Sequence, residues 1–576
     1  MQHAGIGSFD PARIDTFVYA GWRFDGETAE FDFALEGADV ADRVVFTERV
    51  AFEVEYSAGR GASERSEVAF EVEHSAGRGA SERSEVASRD HGGSVEAGLV
   101  SRRDARFAPG APQPAGGEVE PLAGRGASER SEVASRDHGG SVEAGLVSRR
   151  DARFAPGAPQ PAGAGAPQPA GAGAPQPAGA DAPQPAGVER VVALLGGVLG
   201  TSYFKAAAPG RIRIDAEGLT AEAVGYLRAV YREGLAEFAY RAGLPGKVEP
   251  VIEHRRPARA CTASVVPDGA PLVPIGGGKD SVVSVESLRA AGVDPVQFAV
   301  NPNVVIRRVA EASGLPLVEA RRTIDPALLE LNARGARNGH VPVTAMNSLI
   351  AIAQARLLGL GPVVMSNESS ASDPTLDWHG EAVNHQWSKS LEAERMLAAV
   401  LEPQAGIAGA YFSLLRPFTE LRIARAFAKT DRYDASIVSC NRAFRMGAGD
   451  PGWCGDCDKC RFVFLALSAV MPPDRLIAII GTDMFADETQ LPGYRALMGL
   501  DAHKPFECVG EEAECTVAAS LASRHPHWAA SVVLRALHAE IPGLAQGSPA
   551  LEAQVFGEAP AEPLPSPYSE ARYALV

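Results

Sequence analysis

Residues 272–281 read Leu-Val-Pro-Ile-Gly-Gly-Gly-Lys-Asp-Ser: a short apolar strand, a glycine turn, then the polar start of a helix. Such a turn suits phosphate. Glycine lets the backbone approach a ligand and take positive φ, and the first amides of a helix face an anion with the positive end of its dipole. The helix is expected from Ser281 to about Ala291, closed by Gly292. Lys279 can add a point charge. The turn is not a Walker loop, because Asp280 follows Lys279 where serine or threonine is required. It also lacks the G-x-G-x-x-G spacing of dinucleotide sites, since position 281 is serine.

Strand and helix patterns alternate outward from this turn. Strands are expected at 296–300, 315–319 and 363–365. Helices are expected at 304–312, from Asp325 as N-cap to Asn332, and at 343–358. Alternation of this kind implies an α/β fold around a parallel sheet with right-handed crossovers, whose ligands bind beyond the carboxyl ends of the strands. Polar runs fall at those ends: 338–344, 366–370, 384–390 and 411–417. His340, Glu368, His385 and Lys389 are the candidates for proton transfer. Arg416 is a candidate clamp for a carboxylate or phosphate.

The chain has seven cysteines, and Cys454, Cys457 and Cys460 fall within seven residues of one another. That is metal spacing rather than disulfide arithmetic. With Cys440 they make four thiolates, enough for a closed tetrahedral Zn²⁺ site of structural role; an iron–sulfur cluster is the alternative on the same ligands.

The first fifty residues show aromatic strand patterns, such as Phe31-Asp32-Phe33-Ala34-Leu35. Composition then changes. Residues 76–116 recur letter for letter at 123–163, and Ala-Pro-Gln-Pro-Ala-Gly starts at Ala158, Ala166, Ala174 and Ala182. These repeats offer no apolar face to bury, so 57–187 reads as a disordered insertion. An apolar helix is expected at 191–199. A second runs from Thr220 to about Gly243, with Val224, Leu227, Tyr231, Leu235 and Phe238 on one side. The expected organisation is an N-terminal α+β domain in two parts, 1–56 and 188–265, an ATP-binding catalytic domain at 266–438, a cysteine-rich segment at 439–515 and a tail at 516–576. The length of 576 residues suits two to four domains.

A net charge of −17 excludes a general nucleic-acid binder. Neither a secretory signal nor an apolar run of membrane-spanning length is found, so a reducing cytoplasm and no membrane partner are expected. A homo-oligomer is left open.

Gly277-Gly278-Lys279-Asp280-Ser281 resembles the PP-loop of the ATP pyrophosphatases, with Gly276 where that family often has serine. The resemblance implies that Gly276, Gly277, Gly278, Lys279, Asp280 and Ser281 bind ATP, that the nucleotide is cleaved between its α and β phosphates, and that Asp280 helps hold Mg²⁺. The cysteine segment, from Trp453 to Arg461, resembles that of the PP-loop deazaguanine synthases, which keeps a nucleobase or tRNA-base substrate as the alternative. A closer resemblance rests on nine motifs. They are Ala206-Ala207-Ala208-Pro209, 273–281, Asn338-Gly339-His340-Val341-Pro342-Val343-Thr344, Ser366-Asn367-Glu368, Val383-Asn384-His385-Gln386, Ser388-Lys389-Ser390, Ser439-Cys440-Asn441, Trp453-Cys454-Gly455-Asp456-Cys457 and 503–510. Over about 10–50 and 188–515 the chain resembles the UDP-N-acetylmuramoyl-L-alanyl-L-glutamate epimerase family. That resemblance implies a UDP-muramoyl dipeptide substrate. Its terminal L-glutamate would be activated as an acyl-adenylate, inverted by proton removal and return, and released with AMP. Two features depart from the family: the insertion, and Ser369, where arginine is expected.

Overall fold

The computed structural model describes residues 9–39, 42–54, 187–443, 452–500, 505, 507 and 509–576. The repeat insertion therefore lies outside the described residues apart from Gly187, as does much of the 503–510 motif. All of the described residues belong to one of the chain's two structural units; the other, Ser66–Gly171, lies outside them.

Three antiparallel strands open the fold: β1 (Ile14–Phe24), β2 (Thr28–Gly37) and β3 (Val44–Phe52). Alternation sends their aromatic residues to one face. Tyr19, Phe33 and Phe46 form one cross-strand row there, and Phe17, Leu35 and Val44 form the next. The helix Val188–Leu199, which follows the insertion, covers that face, and Tyr203 stacks on Phe46 and Phe33 with ring centroids 4.7 and 5.1 Å away. Gly196 permits the close seat. A Cβ there would lie 2.1 Å from the Tyr19 hydroxyl, which instead donates to Ala193 O at 3.2 Å.

The remaining strands are β4 (Arg211–Ile214), β5 (Val251–His254), β6 (Leu272–Pro274), β7 (Val296–Val300), β8 (Leu317–Thr323), β9 (Val363–Met365), β10 (Leu376–Trp378), β11 (Glu381–Val383) and β12 (Tyr411–Ser413). β10 and β11 form a separate hairpin. The others join one ten-stranded sheet in the order β12-β9-β6-β7-β8-β3-β2-β1-β4-β5. The expected α/β class is present, with the parallel core β12-β9-β6-β7-β8. The sheet as a whole is mixed. β3 lies antiparallel to β8, with Arg49 opposite Thr323 and Phe52 opposite Ala320, so strands on both sides of the insertion share one sheet. This pairing uses hydrogen-bonding groups that would otherwise leave β8 as an open edge.

Most helices fall where the pattern places them. Thr220 caps Ala221–Arg232, Asn303 caps Val304–Ser313 and Asp325 caps Pro326–Ala333, each by accepting an amide in the first turn. Two differ. The helix after the glycine turn begins at Lys279, not Ser281, because Gly277 (φ +81°) makes the turn and Gly278 is its extended N-cap. The helix expected to continue from Thr220 toward Gly243 breaks into Ala221–Arg232 and Ala236–Arg241, although its five marker residues are all buried.

A second core joins Val282 and Val283 of the post-turn helix to Glu420–Phe427, Asp458–Ser468 and Glu512–Ser523. The stretch after 515 packs into the fold: Tyr568 and Ala571 meet Val285 and Leu288, and Arg572 Nε donates to Leu414 O at 3.1 Å. Among the described residues no helix is long and apolar enough to cross a membrane.

Candidate active site

The chain leaves β6 for β7 and β8 on one side, then returns to β9 and β12 on the other. The carboxyl ends of β6 and β9 are therefore a topological switch point, where open α/β sheets bind ligands. β6 leads there into the glycine turn, β9 into Ser366–Glu368, and β12 into the segment that reaches Glu420.

Val438 N donates to Gly277 O at 3.1 Å. A Cβ on Gly278 would lie 2.7 Å from the Ser439 hydroxyl. The turn is thus a bare-backbone cradle, and the first amides of its helix lack intrahelical partners. This fits a phosphate. Lys279 is buried, and its ammonium is held by Glu420 and, at 2.5 Å, by Asp280. Burial opposes the charge on Lys279, but Asp280 and Glu420 outweigh it and raise its pKa.

Glu420 is a hub. Its second oxygen receives Lys459 Nζ at 3.4 Å. Burial would raise Glu420, yet Lys279, Lys459 and Lys389 hold it down at about 2. Glu368 behaves oppositely. Burial, reinforced by Glu420 and Asp280, pushes its carboxyl up to about 7, against the pull of Lys389 and Lys459. One carboxylate stays charged while its neighbour titrates near neutrality.

Beyond Lys389 lies a second cluster. His385 Nδ1 hydrogen-bonds the Glu237 carboxylate, which also has His340 Nδ1 at 3.4 Å and accepts from Arg241 Nε at 2.6 Å. The two imidazoles lie 4.8 Å apart between ring centroids. Burial, with His385, Lys205 and Lys389, holds His340 down at about 4 and therefore neutral; Glu237 acts the other way. The ligand atoms of Glu237, His340 and His385 lie within 4.8 Å of one another, a spacing a metal could use, although Lys205, Lys389 and Arg241 crowd the group with positive charge.

The four cysteines also converge. Sγ separations are 3.5 Å for Cys457–Cys460, 3.8 Å for Cys454–Cys460 and 3.9 Å for Cys440–Cys457. A tetrahedron of thiolates around one zinc, with bonds near 2.3 Å, has edges of about 3.8 Å. Several irons between the sulfurs would hold them further apart.

Two family models match the chain: the MurL N-terminal domain over residues 172–414 and the MurL C-terminal domain over residues 436–552. A protein from a Micromonospora strain named UDP-N-acetyl-alpha-D-muramoyl-L-alanyl-L-glutamate epimerase is 54% identical over 66% of this chain and 85% of its own length. Proteins of the same name are 49% identical in Salinispora tropica, over 67% of this chain and 84% of theirs, and 45% identical in Xanthomonas oryzae pv. oryzae, over 60% and 78%. The chain belongs to the UDP-N-acetyl-alpha-D-muramoyl-L-alanyl-L-glutamate epimerase family. No solved structure matches it.

Within this family member, the charge of Lys389 acts on both Glu368 and His340, and His385 adjoins His340, although His340 lies between two helices rather than at a strand end. Arg416 does not serve as an open anion clamp. It is buried, and it donates to Glu394 Oε2 (2.7 Å), Glu368 O (2.7 Å), Lys389 O (2.6 Å) and Ser413 Oγ (3.3 Å). Its guanidinium fork is spent bracing the Glu368 and Lys389 loops. Ser369 closes on Phe418 O at 3.1 Å and lines a cavity of about 750 Å³ with Trp387, Arg395 and Met396. Sequence reasoning missed Glu237, Lys205 and Lys459. Glu237 sits 148 positions from His385, inside an otherwise apolar helix pattern, and Lys459 hides within the cysteine motif.

Proposed function

We propose that this protein inverts the terminal L-glutamate of UDP-N-acetylmuramoyl-L-alanyl-L-glutamate to the D form, with ATP-dependent activation of the α-carboxylate, as a step in peptidoglycan precursor synthesis in the cytoplasm. The observation that carries the reading is Glu368: a buried carboxyl titrating near 7 beside a phosphate-type turn, at the switch point of the sheet. The names of the relatives supply the substrate.

The PP-loop assignment of residues 276–281 rests on the cradle geometry, with Asp280, partly exposed, available to Mg²⁺. ATP bound there would pass its AMP to the carboxylate with pyrophosphate leaving, which removes the carboxylate charge and makes the α-proton acidic, and water would release AMP after inversion. The chain's own residues then move protons. His385, oriented by Glu237 through Nδ1, is the second candidate for proton transfer. Glu368, half-protonated near neutral pH, exchanges a proton on the other side of Lys389, whose ammonium offsets charge developing on the activated carbonyl. Inversion requires one group to take the α-proton and another to return one on the opposite face. Zn²⁺ on Cys440, Cys454, Cys457 and Cys460 has a structural part only.

The test is incubation with Mg-ATP and the UDP-muramoyl dipeptide in D₂O. AMP, α-deuterium and D-glutamate after hydrolysis are expected together. Retention of L-glutamate without deuterium would sink the reading.

A further inference from the structure

Lys205 is a buried cation without a counter-ion among the described residues. It is 8% exposed, and its ammonium donates to Asn338 Oδ1 at 2.6 Å and to Gly339 O at 3.1 Å, both neutral acceptors. An ammonium has three donors, so one is unused. The charge that acts on it most is another cation, Arg322, which is itself held by Glu48 and by Ser202 Oγ at 2.9 Å. Burial, then Arg322, brings Lys205 down to about 8. Buried charges are ordinarily paired, so an unpaired one points to an anion that arrives from outside.

The position is built rather than incidental. Arg337 N donates to Ala206 O at 3.1 Å, its guanidinium reaches Ala207 O, and Ala208 takes φ +51°. This pins the turn after Lys205 to the loop that carries Asn338, Gly339 and His340. Lys205 thereby borders the proton-transfer group, near enough for its charge to act on His340. Lys279 and Lys459 are committed to Glu420, Arg416 to Glu394 and Arg241 to Glu237.

We propose that Lys205 recognises the γ-carboxylate of the terminal glutamate, the one that stays anionic when the α-carboxylate is activated. This inference rests on the epimerase reading above. It makes Lys205 a specificity residue, separating glutamate from its neutral isostere glutamine.

The experiment compares kcat/KM for UDP-muramoyl dipeptides ending in L-glutamate and in L-glutamine, with the full chain and with Lys205→Met and Lys205→Arg. The wild type is expected to prefer glutamate on the order of a hundredfold, the scale set by one charge-assisted contact left unmade. Lys205→Met is expected to lose the preference, glutamate turnover falling far more than glutamine turnover, and Lys205→Arg to keep most of it. Equal falls on both substrates, or an unchanged preference in Lys205→Met, overturn the proposal. So does equal wild-type turnover of the two dipeptides, a result that needs no variant. Absence of wild-type turnover with the glutamate dipeptide would instead remove the epimerase reading itself.

Discussion

Lys459 sets its ammonium 3.4 Å from one oxygen of Glu420 while Lys279 holds the other, so a residue of the cysteine segment and a residue of the glycine turn share one buried carboxylate. Glu420→Gln removes the carboxylate that both lysines share and leaves the buried Lys279 ammonium to Asp280. Breaking a buried pair in this way costs about 3–5 kcal/mol. Urea denaturation should show a loss of this size. A loss below about 1 kcal/mol would mean that water reaches the lysines and that the hub is weaker than its geometry implies.

Gly278→Ala places a Cβ 2.7 Å from Ser439 Oγ. Overpacking of this kind costs about 1–3 kcal/mol. Ser439→Ala removes the clashing oxygen, because the Ser439 Cβ lies at an ordinary 3.9 Å. The double variant Gly278→Ala, Ser439→Ala should therefore recover stability relative to Gly278→Ala alone, and nucleotide affinity should recover with it. If stability returns and nucleotide binding does not, the added methyl itself keeps the ligand off the turn, since Gly278 has an extended backbone (φ −101°, ψ 173°) that any residue adopts.

The turn and the four cysteines were legible because their information is local. Glycines before a helix and thiols at C-x-x-C-x-x-C spacing declare themselves within a dozen residues, and the caps Thr220 and Asp325 do so within a single turn. The acid–base cluster was legible only in part. Glu368 follows β9, and His385 and Lys389 follow β11 of the separate hairpin, but His340 lies between two helices, and Glu237 and Lys205 reach the group across the fold, from helices whose apolar periodicity gives no sign of a site. Arg416 misled because its residue type is right for an anion clamp; burial, which sequence does not show, decides that it is a brace. The β3–β8 pairing was hidden likewise, since it joins strands separated by the whole insertion.

Glu368 should make stability depend on pH. Its pKa in the fold, about 7, lies above its ordinary 4.5, so the native state holds this proton more tightly than the unfolded chain does. The stability it contributes is full below about pH 4.5, declines as pH rises through the window between 4.5 and 7, and is gone above. Glu368→Gln has no proton to lose there. The stability of the wild type minus that of Glu368→Gln should therefore fall by up to about 1.4 kcal/mol per pH unit across the window. Urea denaturation at pH 5, 6, 7 and 8 reads this directly. A flat difference would show that Glu368 ionises as an ordinary carboxyl and would remove it as the group exchanging a proton near neutrality.

The cysteine cluster should hold one zinc per chain, and its loss should be felt at the glycine turn. Cys440 lies next to Ser439, which faces Gly278, and two residues from Val438, which bonds Gly277 O; Cys457 and Cys460 flank Lys459, which reaches Glu420. Thiolates that lose their ion repel one another and release both connections at once. Cys457→Ser should therefore lose the zinc by elemental analysis, lower the melting temperature and weaken nucleotide binding. His340→Ala, outside this linkage, should keep the zinc and the nucleotide affinity. Iron with visible absorption in the purified protein would replace zinc by a cluster. Full nucleotide affinity in the metal-free protein would show that the turn stands without the cysteine segment.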